Sequence, residues 1–546
     1  MPKEHAVGCR AADLLDLKLT GLLERAKLWT LLRVSRISIN YNIVSASIII
    51  AQPLFFGFAM DDSRTFEAIA DLARSDLMLV VDLDGTLIKS DMLYETLWAS
   101  LSGNAKLIIP AILALRDGKA PMKRLLAAGG QVDIETLPFN KTVVEYIQNW
   151  RKCGGRTALV SASDEVLVKR VADHLGIFDE AHGTKGDENL KGAAKAARLD
   201  ALYGKGGYVY VGDSKADLAV WRDAARAVTV GLPNALRTEV ELENDDVLHL
   251  SDRPSYFAPL LKAMRPHQWL KNLLVFLPLM AAHDLSPGTI FPAILAFVSF
   301  CLIASSVYLL NDLLDLSADR AHPRKRKRPF ASGALSLAWG TVVVPGLLLA
   351  GAVIALSISW EFTGVMMCYF AVTTLYSFWL KRRLVVDICA LAGLYTLRII
   401  AGGVATQIDL SVWLLAFSMF FFFSLAAMKR QAELVSKSGG KSTRIAGRDY
   451  RTTDMPLVAN MAVSSGYVSV MVMALYLNSP AVRELYSYPG ALWGICLVLL
   501  FWISRMVMIT HRGWMHDDPV VFAARDRISL VCFALIFTFA VGGIVL

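Results

Sequence analysis

Nine apolar stretches in the second half of the chain constrain its fold most. They lie near 271–283, 292–312, 336–356, 362–380, 385–402, 412–428, 457–477, 490–510 and 529–546. Spanning a bilayer takes about 20 apolar residues, and lipid offers no partner for free backbone groups, so such stretches predict helices. The first is short and needs residues from its flanks. Only 19% of the 546 residues are charged against 55% hydrophobic, and mean hydropathy is +0.45. A soluble globular chain carries about 25% charged residues. Soluble, disordered, collagen-like and disulfide-rich secreted classes are excluded. Seven scattered cysteines show no CxxC or other metal-ligand spacing.

The loops sort by charge. One side carries Lys262, Arg265 and Lys271, six basics from Arg320 to Arg328, and Lys381 to Arg383. Seven more lie between Lys429 and Arg451, with Arg505, Arg512, Arg525 and Arg527 beyond them; the opposite loops hold Arg483 alone. Cytoplasmic loops are the basic ones, which predicts an inner-membrane protein with these loops, and the region before them, in the cytoplasm. The net charge of +8 therefore reads as membrane topology, with no nucleic acid as partner.

Residues 61–260 read as a separate α/β domain, followed by the membrane domain over 261–546. Short apolar runs at 77–81, 157–160 and 208–211 alternate with helical stretches, as in a parallel sheet wrapped by helices. Residues 1–60 are an extension of unassigned role. Their apolar run at 41–60 could pass for a span, but spanning would invert every basic loop. It either lies on the membrane or precedes a start at Met60, outside the native product.

Val81-Asp82-Leu83-Asp84-Gly85-Thr86 places two aspartates just after a strand. Chemistry in open α/β sheets sits at the carboxyl ends of strands, and paired carboxylates suit nucleophilic attack with acid–base help. A lone DxD is a weak signal. Three further pieces follow: Ser161 at the end of a second strand, Lys191 in Asn-Leu-Lys-Gly, and Asp213 and Asp217 in Gly-Asp-Ser-Lys-Ala-Asp. Together the four motifs resemble the haloacid-dehalogenase phosphatases over roughly 70–235. The resemblance implies a Rossmann-like domain with a helical cap after Thr86. It implies Asp82 as nucleophile and Asp84 as acid and base, with Ser161 and Lys191 on the phosphoryl oxygens. Lys185 and Lys195 are the alternatives for the lysine. Mg²⁺ would be held by Asp82, the Asp84 carbonyl and Asp213, with Asp217 in support.

The second apolar stretch ends in Asn311-Asp312-Leu-Leu-Asp315-Leu-Ser-Ala-Asp319-Arg320. Positions 311, 315 and 319 fall on one helical face, bordered by Asp312. Carboxylates so close repel unless a cation lies among them, which predicts Mg²⁺ and a diphosphate. A basic loop, 322–328, follows at once. NDxxDxxxD with the later RPxxSG, in nine spans, resembles the UbiA-type prenyltransferases over about 265–546. Arg265 to Asn272, the run Asp319 to Lys325, and Tyr376 with Lys381 are similar to one branch, the decaprenyl-phosphate phosphoribosyltransferases.

That resemblance implies an all-α nine-helix transmembrane bundle joining phosphoribosyl pyrophosphate to a polyprenyl phosphate. Asp312, Asp315 and Asp319 would bind Mg²⁺ and pyrophosphate. Asn311, Lys271, Arg320, Lys325, Arg328, Tyr376, Lys381, Lys429, Arg430 and Glu433 would line the substrates. The second aspartate motif of aromatic prenyltransferases is missing, with Glu433 and Asp449 left amid basics; prenyl transfer to an aromatic acceptor is the rival activity. Asp517, Asp518 and Asp526 either close the site or form a solvated loop. The first product carries a phosphomonoester, so the fused phosphatase is expected to remove it, towards lipid-linked arabinose. A homo-oligomer is compatible with the sequence and not specified by it.

Overall fold

The structure, a computed structural model, describes residues 72–545 apart from 74, 104–109, most of 111–131, 186–189, 252–254, 438–447 and 516–517. The expected N-terminal extension and part of the expected cap lie outside the described residues.

Six parallel strands form one sheet: β1 (Met78–Val81), β2 (Thr157–Asp164), β3 (Glu180–Thr184), β4 (Tyr208–Gly212), β5 (Arg226–Val230) and β6 (Val247–Ser251). Their order is β3-β2-β1-β4-β5-β6. β1 is buried throughout, which explains its unbroken apolar sequence. Val81 pairs with Leu159 of β2 on one side and Val211 of β4 on the other. The chain reverses its winding direction between β1 and β4, and a doubly wound sheet opens a crevice at that point. Helix α1 (Met92–Gly103) follows β1, and α2 (Ala193–Tyr203) leads into β4.

Seven helices among the described residues are long and apolar enough to cross a membrane, and the chain is an integral membrane protein. They are Pro287–Leu314 (α3), Leu337–Ile358 (α4), Val386–Thr406, Val412–Lys437, Thr452–Leu477, Pro489–His511 and Arg527–Ile544. The other two expected spans form different structures. Residues Pro266–Phe276 make a 3-10 helix that leads into a short helix, Leu277–Ala281. Trp360–Phe378 is helical, but Glu361 and its threonines and tyrosines make it less apolar than the seven. Serines stitch α3 to α4: Ser299 donates to the Gly351 carbonyl at 2.8 Å and Ser306 to the Val344 carbonyl at 2.9 Å. Small polar residues allow this close approach where apolar burial cannot drive association. The outer face of α4 presents Val342, Leu349, Val353 and Leu356.

The two domains share a core. Trp98 of α1 packs with Leu309, Leu313, Leu316, Phe330 and Leu337 of the membrane domain. Its indole donates to Thr341 at 3.0 Å. Arg320 makes a two-pronged ion pair with Glu95 of α1, at 2.7 and 3.0 Å, with both side chains buried. Gly333 sits against Lys89, only a few residues past Asp84. A Cβ there would lie 2.6 Å from the Lys89 Cβ, and its φ is +71°.

Candidate active sites

The crevice between β1 and β4 gathers the phosphatase-like residues. Asp82 follows β1 and Asp213 follows β4. Gly85, at φ +78°, lets the chain turn away sharply, and a Cβ on it would lie 2.1 Å from Asp213. Asp82, Asp213 and Asp217 bring one oxygen each to within 4.8 Å of one another. Asp217 is fixed by the Ser214 hydroxyl at 2.7 Å and the Tyr210 hydroxyl at 2.7 Å. Asp84 accepts from Ser161 at 3.1 Å, Ser163 at 2.6 Å and the Met92 backbone N–H at 2.7 Å.

The lysine at this crevice is Lys195. Its ammonium, buried on α2, lies 2.8 Å from Asp82, 2.9 Å from the Tyr210 hydroxyl and 3.8 Å from Asp217. Lys191, the expected residue, is exposed. Helix α2 begins only at Ala193, so Lys191 sits ahead of it, whereas Lys195 lies in its first turn on the face that meets the sheet. Burial, with Asp217 and Asp84 nearby, pushes the Asp82 acid up to about 7 despite Lys195. Burial and the same neighbours raise Asp213 well above the carboxylate range. Crowded carboxylates with one ammonium are short of positive charge, and hard oxygen donors fit a divalent cation such as Mg²⁺.

The membrane domain's acidic motif is arranged differently from the expected single helical face. Helix α3 ends at Leu314, Asp315 caps it with φ −92° and ψ 15°, and a short helix, Leu316–Ala321, starts again. Asp315 is exposed, whereas Asp312 and Asp319, seven residues apart and so on one helical side, are buried. Arg328 bridges that pair, 3.0 Å from Asp312 and 2.5 Å from Asp319. Arg265 also pairs with Asp312, and Lys325 lies 3.8 Å from Asp319. Burial raises the Asp319 acid although Arg328 pairs with it. Its Oδ1 is buried without a hydrogen-bond partner, a position that a cation would satisfy. Asn311 donates to Ser377 at 3.0 Å.

Apart from Arg328 and Lys325 at the aspartates and Lys381, the expected substrate cations divide into three groups. Arg320 is committed to Glu95, because its guanidinium points away from the aspartates into the domain joint. Arg430 is buried between Asp387, at 2.8 Å, and Glu433. Arg448 joins that cluster through Glu433 at 3.1 Å and reaches the Tyr376 hydroxyl at 3.3 Å. Glu433 and Arg430 thus neutralise each other within the protein. Lys381 lies, partly exposed, in a short turn at Leu380–Arg382.

Lys271 and Lys429 form the third group. Both meet Asp518, at 2.7 and 3.0 Å. Burial would raise the Asp518 acid, but the two ammonium groups outweigh it and hold the carboxyl well below its usual range. Arg398 lies beside them, and it was not among the expected site residues. A lone arginine inside an otherwise apolar stretch was its available signal.

Known proteins match both domains. The UbiA prenyltransferase family matches residues 272–542, and the haloacid dehalogenase-like hydrolases match 79–222. An uncharacterized protein of Sinorhizobium fredii, y4nM, is 36% identical over 482 residues, covering 87% of this chain and 93% of that protein. Nodulation protein NoeC of Azorhizobium caulinodans is 38% identical, over 50% of this chain and 90% of that protein. Decaprenyl-phosphate phosphoribosyltransferase of Mycolicibacterium smegmatis is 34% identical, over 53% of this chain and 95% of that protein. The chain belongs to the UbiA prenyltransferase family and carries a haloacid dehalogenase-like hydrolase domain ahead of its membrane helices.

Proposed function

We propose that the chain is a bifunctional, Mg²⁺-dependent membrane enzyme. Its membrane domain, 261–546, transfers 5-phosphoribose from phosphoribosyl pyrophosphate to a polyprenyl phosphate. Its hydrolase domain, 61–260, then removes the 5-phosphate, towards lipid-linked arabinose. The observation that carries the first step is the 34% identity to decaprenyl-phosphate phosphoribosyltransferase across nearly all of that protein. The internal pairing of Glu433 with Arg430 and Arg448 agrees with it, since this carboxylate is then already neutralised by the protein. The acceptor's phosphate oxygen attacks the ribose anomeric carbon as pyrophosphate leaves. Asp312 and Asp319, with Asp315 at their edge, hold the metal and pyrophosphate. Arg328, Arg265 and Lys325 balance the charge that develops on the leaving group.

In the hydrolase, Asp82 attacks phosphorus to form an aspartyl-phosphate, and Asp84 protonates the departing oxygen and then activates water. Ser161 and Lys195 orient the phosphoryl oxygens. Asp82, Asp213 and Asp217 hold Mg²⁺, which would screen phosphoryl charge from the attacking carboxylate. Both sites are read as cytoplasmic, which the one-sided basic loops support, and the membrane domain is read as nine helices, two of them short or less apolar.

Mass spectrometry of lipids formed by purified protein from phosphoribosyl pyrophosphate, polyprenyl phosphate and Mg²⁺ tests this reading. The expected product is a polyprenyl-phosphoryl ribose; no sugar on the lipid would refute it. Asp319→Asn should lower transfer by about a hundredfold or more while hydrolysis of p-nitrophenyl phosphate persists. Lys195→Met should lower that hydrolysis by about a hundredfold, and Lys191→Met by less than about twofold. The reverse ranking would restore Lys191 to the site.

A further inference from the structure

Around Asp518 the membrane domain holds more positive charge than it neutralises. Lys271, from the 3-10 helix Pro266–Phe276, and Lys429, from Val412–Lys437, both point at a single oxygen, Asp518 Oδ2. Asp518 Oδ1 accepts from the Tyr395 hydroxyl at 3.3 Å. Arg398, 5% exposed, lies against the same Tyr395, its guanidinium 5.7 Å from the ring centroid. Arg398 is held by Asn272 Oδ1 at 2.9 Å, the Tyr369 hydroxyl at 3.0 Å and the Leu394 carbonyl. Among the described residues no carboxylate forms an ion pair with it. Among the described residues, Lys271 and Lys429 thus share one carboxylate and Arg398 has none, an excess of two positive charges.

Buried charge without a counter-ion is costly, and inside a membrane domain it marks a place where a ligand supplies the missing charge. A phosphomonoester dianion brings two negative charges where Asp518 brings one, and it offers oxygens to all three side chains. Two such groups enter the proposed reaction, the acceptor's phosphate and the donor's 5-phosphate. The setting favours the acceptor. Tyr395 stacks on Phe422 at 4.9 Å, and Arg398 lies over Tyr369 and Phe300, so aromatic surface from the spans adjoins the cations. The acidic pair has its own cations in Arg328, Arg265 and Lys325.

We propose that Lys271, Lys429 and Arg398 form the subsite for the phosphate of the lipid acceptor, and that Asp518 is a built-in counter-ion which that phosphate displaces. This rests on the transferase reading above. Displacement follows from position: Asp518 Oδ2 occupies the point where the two ammonium groups converge, so a phosphate oxygen takes that place only when the carboxylate leaves it. Asp518 sits in the connection between two spans and caps the one-turn helix Pro519–Ala523, its Oδ1 accepting from the Val520 N–H at 3.2 Å.

The test uses full-length protein in detergent, with farnesyl phosphate as acceptor probe and inorganic phosphate as control. Asp518→Asn removes the competitor, so farnesyl phosphate should bind about fivefold more tightly and its KM should fall in proportion. The KM for phosphoribosyl pyrophosphate should stay within about twofold. Lys429→Gln should weaken farnesyl phosphate binding about tenfold and likewise spare the donor KM. The proposal is overturned if Asp518→Asn weakens farnesyl phosphate binding, or if Lys429→Gln leaves it unchanged. A shift in the donor KM alone would assign the subsite to the donor's 5-phosphate, and equal tightening of inorganic phosphate would make it a general anion site; either also overturns it. Farnesyl phosphate binding is read without turnover. A wild type that makes no ribosylated lipid therefore refutes the transferase reading, while the response of binding to Asp518→Asn still decides the subsite.

Discussion

With Asp82→Asn the enzyme should accumulate a lipid-linked sugar heavier by one phosphate than the wild-type product. Asp82 is the carboxylate held 2.8 Å from Lys195 at the sheet's switch point, and an amide in its place cannot form an aspartyl-phosphate. Phosphomonoester hydrolysis should fall by about a thousandfold or more, as it does when a covalent nucleophile is lost. Phosphoribosyl transfer should continue, because Asp312 and Asp319 draw their charge partners from Arg265, Lys325 and Arg328 and not from the hydrolase crevice. The readout is the mass of the lipid product, followed over time in variant and wild type. Identical phosphorylated lipid from both would separate the two activities and leave the hydrolase to another substrate.

The second large effect concerns the joint. Glu95→Ala would strand Arg320 among Trp98, Leu313 and Leu316 with its charge unanswered. Removing one partner of a buried ion pair costs about 3–5 kcal/mol. Both side chains are at most 9% exposed, so solvent screens little of this. The domain contact should loosen, seen as faster proteolysis between the domains and a lower Tm. Transfer should suffer too, since Arg320 directly follows Asp319 and its departure frees the short helix that carries that carboxylate. A double change, Glu95→Leu with Arg320→Met, removes both charges and should recover much of the stability. If Glu95→Ala leaves proteolysis and Tm unchanged, the pair does not hold the domains together.

This joint also bears on how the two reactions meet. Helix α1 gives Glu95 to Arg320 and, through the Met92 N–H, a hydrogen bond to Asp84. One helix therefore touches Asp84 of the hydrolase domain and Arg320, the residue after Asp319 in the membrane domain. Tethering raises the effective concentration of an anchored intermediate without any new contact. The close approach of Gly333 to Lys89 adds a second point of contact near the hydrolase loop.

Local pattern was enough for the two-part architecture, an α/β domain followed by apolar helices, but not for the number of spans. Unbroken apolar runs of strand length, such as 77–81, mark buried parallel strands because both faces of the sheet are covered. Runs of span length separated by one-sided basic loops mark membrane helices, and the acidic motifs stand out because carboxylates seldom cluster without a cation. The two domains and their families were therefore legible along the chain. What tertiary structure alone decided is which partner each long cationic side chain takes. Lys191 and Lys195 differ by one helical turn, and only the docking of α2 on the sheet turns Lys195 inward. Arg320 is adjacent to the acidic motif in sequence yet pairs with Glu95, which is 225 residues away. Asp312 and Asp319, seven residues apart, share one helical side along the chain, but only packing buries the two together and leaves Asp315 exposed. Asp518 reads as loop and Arg398 as an interruption until three segments bring them beside Lys271 and Lys429. Lysine and arginine reach several ångströms beyond their backbone, so their partners are set by how elements pack and not by neighbours in sequence.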